Sequence, residues 1–255
     1  MVDASVPSYP LLAWAMVAFI VLNAAISIPL YRRRLPDLSS VGGSAVLGAG
    51  LRGWYFDKLQ PFEDWCVRHG ISPSTLTYSQ LVGSALIMLC FAHGYLFVGG
   101  WLVLSIGSLD IVDGRVARRT GTGSDQGAFL DSVVDRYADS LGYMGLAVYF
   151  AGSWVIWIVL FALLGSTMVS YTRARAESLG VECKVGLFQR PERTVVLGFG
   201  TIFAVLLEHI VGPFLWGQPF SLLVVTLLII TVFTNLAAAQ RLVHVQRELQ
   251  ARSHV

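Results

Sequence analysis

Residues 98–151 read VGGWLVLSIGSLDIVDGRVARRTGTGSDQGAFLDSVVDRYADSLGYMGLAVYFA. Two apolar runs, 98–118 and 127–151, flank a short polar loop, and four aspartates stand where the runs approach that loop. A membrane-crossing helix needs about 20 mostly apolar residues, and each run supplies them; the acidic residues at its start weaken the second run only in hydropathy. Asp110 and Asp113 are three residues apart and Asp131 and Asp135 four apart, so each pair shares one helix face near the end of its span. The loop 119–126 is short enough to predict antiparallel neighbours, with both carboxylate pairs at similar depth on adjacent helices.

Working outward, further apolar runs lie at 11–31, 75–97, 153–173, 195–212 and 219–240, giving seven expected spans. His93-Gly94, Gly152-Ser153 and Gly212-Pro213 supply turn-like breaks between them. The chain is 55% hydrophobic and 13% charged, with a mean hydropathy of +0.65. A soluble domain carries about 25% charge, so this chain lacks the polar residues to coat a water-facing surface. The expected fold class is all-α, a polytopic membrane helix bundle. The three cysteines (Cys66, Cys90, Cys183) are widely spaced with no CxxC pair, which argues against a disulfide framework and a zinc site. No nucleic-acid partner is expected.

Charge sets the orientation. The segments 32–72, 115–126, 173–194 and 241–255 are basic, whereas 1–10, 92–97, 151–154 and 212–219 contain no Lys or Arg. The positive-inside rule puts the basic set in the cytoplasm, and the four aspartates with it. The first apolar stretch has no basic residue before it and Arg32-Arg33-Arg34 after it, the order of a retained anchor rather than a signal peptide. A multi-pass protein of the inner (cell) membrane is expected, its N-terminus outside, its C-terminus and acidic site facing the cytoplasm.

Residues 36–50 are rich in Ser, Gly and Leu and read as a linker. Residues 51–69, LRGWYFDKLQPFEDWCVRH, mix aromatic and charged side chains. Trp54, Leu59, Phe62 and Trp65 can share an apolar face, which predicts an amphipathic helix lying in the interface, kinked or split by Pro61. The expected organisation is an N-terminal transmembrane anchor and linker (1–50), a juxtamembrane helix (51–72), a six-span core (73–245) and a cytoplasmic tail (246–255).

An acidic residue deep in a span costs about 2.5 kcal/mol or more to insert, and four together repel one another. Arg115, Arg118, Arg119 and Arg136 can offset part of that charge. Two carboxylate pairs on facing helices, however, are what a hard divalent cation takes, since Mg²⁺ and Mn²⁺ prefer carboxylate oxygens and water. Two ions bridged by carboxylates suit phosphoryl chemistry. Gly114 and Ala117 lie beside the acidic face and Gly127 one turn before Asp131; small residues there let a ligand approach the backbone, or let helices pack tightly.

The string Asp110-x2-Asp113-Gly114-x2-Ala117-Arg118-x8-Gly127-x3-Asp131-x3-Asp135 fixes eight positions in a 26-residue window, and it resembles the signature of the CDP-alcohol phosphotransferase family at every position. The resemblance extends over roughly 52–240 and implies the family's six-helix core, preceded here by an extra N-terminal helix. It implies transfer of a substituted phosphate from a CDP-linked donor, CDP-diacylglycerol, to an alcohol, with release of CMP. It further implies Asp110, Asp113, Asp131 and Asp135 as ligands of two Mg²⁺ or Mn²⁺ ions, Asp135 as general base, and Asp113, Gly114, Ala117, Arg118 and Gly127 as the donor pocket. A homodimer is usual in the family. Where family members often begin the next span Pro-Asn, this chain has Pro73-Ser74, a departure at a nucleotide-contacting position.

The acceptor is read from arginines. Ser170-Tyr171-Thr172-Arg173-Ala174-Arg175-Ala176-Glu177 ends the fifth span, and Arg190-Pro191-Glu192-Arg193 follows a loop containing Lys184. An arginine cluster suits a phosphate dianion through bidentate hydrogen bonds, although positive-inside bias also accumulates arginines there. The RARAE and RPER strings resemble those of bacterial phosphatidylinositol-phosphate synthases, which implies inositol phosphate as the small polar acceptor and Arg173, Arg175, Arg190 and Arg193 as its phosphate ligands; glycerol phosphate carries the same charge. A metal or ion transporter is the main non-enzyme alternative, but it predicts carboxylates near the midplane. A purely scaffolding protein leaves the acidic cluster unexplained.

Overall fold

A computed structural model describes residues 10–34, 48–183, 185–186, 188–211 and 220–253. The described chain forms eight helices: α1 (Pro10–Arg34), α2 (Gly48–Arg68), α3 (Pro73–Ala92), α4 (Leu96–Thr120), α5 (Asp125–Tyr149), α6 (Val155–Ser178), α7 (Arg190–Val211) and α8 (Ser221–Ser253). Among the described residues α3, α4, α6 and α8 are long and apolar enough to cross a membrane by themselves. The remaining expected spans also lie on helices. α5 carries Asp125, Asp131, Asp135, Arg136 and Asp139, and α7 opens on Arg190, Glu192 and Arg193, so the residues that build the site lower their apolar character. With its all-helical architecture this is an integral membrane protein.

Local sequence explains the helix limits near the site. Pro73 opens α3 after Ser72, whose side chain accepts from Thr75 N–H, as an N-cap should. α4 stops at Gly121, which takes the left-handed conformation at φ 66° that glycine adopts without strain. Ser124 then caps α5 by accepting from Gly127 N–H at 3.1 Å. α7 starts with a capping box: Gln189 N–H donates to Glu192 Oε2 at 2.6 Å. Arg190 and Arg193 are therefore helical from the first turn, not part of the preceding loop.

Two boundary expectations change. Leu96 and Phe97 belong to α4 rather than to the preceding span, because the chain turns at His93–Tyr95. α2 runs unbroken through Pro61; Pro61 and Asp57, whose carbonyl loses its helical donor, are both exposed. The face of α2 turned to the bundle holds Glu63 and Cys66, with Leu59 and Val67 packing near Val112 and Val116. Phe62 and Trp65 stack on the opposite, exposed side. Of the expected linker, residues 36–47 lie outside the described residues, and 48–50 already belong to α2.

Six helices form a closed ring in the spatial order α3–α4–α7–α8–α6–α5 and back to α3, with α2 packed on α4 and α1 on α2 and α7. This corrects the expected pairing of α4 with α5, which touch only slightly. α3 lies between them. It approaches α5 so closely that a Cβ at Gly145 would stand 2.5 Å from the Met88 carbonyl oxygen, and α4 so closely that a Cβ at Gly83 would stand 2.4 Å from Ile106. The wedge separates α4 and α5 along their length and leaves an opening at the acidic end.

Candidate active site

Asp110 and Asp113 project from α4 and Asp131 from α5, and each offers a carboxylate oxygen within 4.8 Å of the others. Asp113 is 4% exposed and accepts from Thr77 Oγ1 of α3 at 2.8 Å. Asp131 Oδ1 is buried with no hydrogen-bond partner. An oxygen-only set with a bare buried carboxylate oxygen fits a hard divalent cation and is hard to explain otherwise, because buried polar atoms are normally satisfied.

Asp135 stands beside this group. Its Oδ1 accepts from Gln80 Nε2 of α3 at 3.2 Å and lies 2.8 Å from Arg190 Nη1, which is also 2.7 Å from Asp110 Oδ1. Arg190 Nε reaches Asp139 at 3.2 Å, and Arg193 Nη2 reaches it at 3.0 Å. The first turn of α7 thus carries a cationic fork whose three carboxylate partners come from α4 and α5, the geometry in which arginine outperforms lysine.

Next to the carboxylates lies a cavity of about 770 Å³, bounded by the C-terminal end of α4, the N-terminal end of α5, the loop between them and the α2–α3 link. Asp113, Gly114, Ala117, Arg118 and Gly127 all line it, as do Ser74, Thr77 and Asp131. A Cβ on Gly114 would meet nothing nearer than Arg118 Nη1 at 3.4 Å, and one on Gly127 nothing nearer than Ser124 Oγ at 3.3 Å. These glycines are therefore not helix-packing residues; a side chain there would enter the cavity. Ser74 occupies the position where the departure from Pro-Asn falls.

The four acceptor candidates separate. Arg190 and Arg193 are inside the ring, whereas Arg173 and Arg175 are exposed on the last turns of α6, Arg173 pairing with Glu177 at 2.8 Å. Lys184 lies outside the described residues. Arg241 of α8, read in the sequence only as part of the basic segment 241–255, is 4% exposed and lies close enough to Arg173 and Arg193 to feel both charges. Its Nε donates to Val185 O at 2.8 Å and its Nη1 to Val169 O at 2.5 Å, so it pins the α6–α7 loop against the bundle. Also unread were Glu63, 1% exposed, which binds Arg115 Nε at 2.6 Å and Arg119 Nη1 at 3.0 Å, and the Thr77/Gln80 pair. A signal existed for the latter: Thr77, Gln80 and Ser84 form a polar stripe at helical spacing in an apolar span.

Known proteins resemble this chain in sequence and in fold. Residues 70–237 match the pattern that defines the CDP-alcohol phosphatidyltransferase family. A phosphatidylinositol phosphate synthase of Streptomyces avermitilis is 35% identical over 216 residues, 81% of this chain and 85% of its own. One of Cutibacterium acnes is 38% identical over 149 residues, 56% of this chain and 72% of its own. The crystal structure of Mycobacterium tuberculosis phosphatidylinositol phosphate synthase with CDP-DAG bound superposes with a TM-score of 0.63 at 28% identity, covering 72% of this chain and 92% of that one. The same enzyme in complex with manganese and citrate gives 0.64, again at 28% identity, over 73% and 88%. A pattern matched over more than half of the chain, and a relative aligned along most of its length, lead to one assignment: this chain belongs to the CDP-alcohol phosphatidyltransferase family and is a divalent-metal-dependent transferase.

Proposed function

We propose that the protein transfers a phosphatidyl group from CDP-diacylglycerol to a phosphate-bearing alcohol, inositol phosphate, releasing CMP. The observation that carries this reading is the 770 Å³ cavity, which opens onto the carboxylate group and is lined by all five residues expected for the donor. Its two uncrowded glycines leave the helix backbone accessible to a nucleotide, and Arg118 brings a cation for its phosphates. The exposed aromatic pair Phe62–Trp65 on α2 suits a juxtamembrane helix at the lipid boundary.

Asp110, Asp113, Asp131 and Asp135 would hold Mg²⁺ or Mn²⁺, as two ions. Metal bound there supplies charge stabilisation for the attacking and leaving oxygens. Thr77 keeps Asp113 turned toward that position. Asp135 takes the proton of the acceptor hydroxyl as its oxygen bonds to the lipid-side phosphorus, and the phosphorus–oxygen bond to CMP breaks, CMP leaving with the electron pair. Arg190 and Arg193 bring positive charge to the acceptor phosphate near Asp135, and Arg173 and Arg175, exposed on the last turns of α6, would meet it on its way in. Phosphatidylinositol phosphate synthases among the relatives favour inositol phosphate; glycerol phosphate offers the same dianion. The chain sits in the inner membrane with this site toward the cytoplasm and its N-terminus outside, as a homodimer, with residues 1–50 as anchor and linker, 51–72 at the interface, 73–245 as core and 246–255 as tail.

The test is an acceptor panel. Purified protein with CDP-diacylglycerol and metal is offered inositol phosphate, glycerol phosphate, inositol and serine. The reading expects CMP release with inositol phosphate foremost. Preference for an unphosphorylated alcohol would overturn the role of the arginines.

A further inference from the structure

Gln80 lies inside the ring, 1% exposed, between Thr77 and Ser84 on the buried face of α3. A buried glutamine has two donors and an acceptor to satisfy, and one left unpaired is costly. Its Nε2 donates to Asp135 Oδ1 at 3.2 Å. A carboxylate only accepts, so the amide nitrogen must face Asp135 and the amide oxygen must face away. That oxygen, Oε1, is buried without a partner. On the other side of the ring Arg193 is in the same condition with opposite sense: it is 3% exposed, its Nη2 is engaged by Asp139, and its Nη1 is buried without a partner.

Both residues line a second, smaller space of about 60 Å³ between the helices of the ring, together with Ser84, Tyr143 and Thr194. A buried water needs roughly 10–15 Å³ of such space and two to four polar partners. The space is large enough, and it presents an orphaned acceptor, an orphaned donor and hydroxyl groups. We propose that this cavity is a structural water site which bridges Gln80 Oε1 to Arg193 Nη1, and that Gln80 is thereby a positioning residue for Asp135. Asp135 Oδ1 is then held from two helices: from α3 through Gln80, and from α7 through Arg190. The water fixes the amide's sense, and the amide fixes the carboxylate's direction. The catalytic consequence rests on the assignment of Asp135 as general base; the water site does not.

Two variants and one binding measurement test this. Gln80→Met keeps the volume and removes both hydrogen bonds. It should lower kcat by about 10- to 100-fold while the donor KM stays within about threefold, as misdirection of a reacting group does, and it should weaken Mn²⁺ binding measured by paramagnetic resonance without substrate. Gly142→Ala places a methyl group at the edge of the same cavity, where the nearest heavy atom, on Ile87, is 4.0 Å away, so the variant folds. It should lower kcat in the same direction with donor KM unchanged, and a high-resolution structure of the unaltered protein should show water touching Gln80 Oε1 and Arg193 Nη1. Unchanged kcat and Mn²⁺ affinity in Gln80→Met would overturn the positioning role. A dry cavity, or Gly142→Ala more heat-stable with full activity, would overturn the water site. If the unaltered protein released no CMP, the proposed function would fail, while Mn²⁺ affinity and the cavity's contents would still decide this inference.

Discussion

Arg190 Nη1 lies 2.8 Å from Asp135 Oδ1, joining the first turn of α7 to the acidic face of α5. The contact closes the acidic end of the ring, where α4 and α5 do not touch each other closely. The same guanidinium also reaches Asp110 and Asp139, so one side chain counters three carboxylates.

Removing it should therefore cost more than an ordinary ion pair. Breaking a mostly buried pair leaves uncompensated charge and costs about 3 kcal/mol. Arg190→Ala should lower thermal stability in detergent by that order, and Arg190→Lys should recover only part, because an ammonium cannot span the three partners. Thermal unfolding with tryptophan fluorescence or by dye-free scattering checks both.

Asp135→Asn keeps the shape and removes the base. Turnover should fall by about 10²-fold or more, with CDP-diacylglycerol binding largely retained. Single-turnover CMP release beside equilibrium donor binding separates the two effects. Equal loss of both would mean that Asp135 serves binding rather than proton transfer.

The glycines divide into two kinds, and substitution should separate them. Gly114→Val directs its bulk into the large cavity, so donor KM should rise about tenfold or more while stability changes by no more than about 1 kcal/mol. Gly145→Ala meets the Met88 backbone at 2.5 Å, so it should destabilise by about 1–3 kcal/mol through overpacking, without a selective effect on donor KM. Steady-state kinetics and melting curves on the two variants make the comparison.

Much of this was legible in the sequence because it is local. Spacing alone put Asp110 with Asp113 and Asp131 with Asp135, and the apolar runs with the breaks between them predicted the helices. What could not be read is which helices touch. A short loop between α4 and α5 suggested neighbours, yet α3 wedges between them, through contacts of Gly83 with Ile106 and Gly145 with Met88 that link residues far apart in the chain. The cavity exists because of that wedge. Likewise the arginines read as one basic cluster because they share a sequence neighbourhood. The capping box at Gln189 and Glu192 carried Arg190 and Arg193 into α7 and the interior, and left Arg173 and Arg175 on the surface. Arg241 became visible only when α8 folded back on α6.

Helix α2 is attached through Glu63, which accepts from Arg115 and Arg119 beyond the acidic pair of α4. Glu63→Gln should loosen that attachment and cost about 2 kcal/mol, less than breaking a fully buried pair because both arginines are partly exposed and Arg119 keeps Asp64. Melting curves should show the loss, and donor KM should rise because α2 and its link wall the cavity.

The central claim is metal-dependent phosphatidyl transfer at the Asp110–Asp113–Asp131 group, and CMP release tests it most directly. Purified protein is given CDP-diacylglycerol and inositol phosphate with metal, with EDTA, and with EDTA followed by excess Mn²⁺ or Mg²⁺. The account predicts CMP and lipid product in equal amounts, loss of both under EDTA, recovery on adding metal, and none from Asp113→Asn. CMP release unaffected by EDTA, or no release from folded, metal-replete protein with any acceptor, would contradict it.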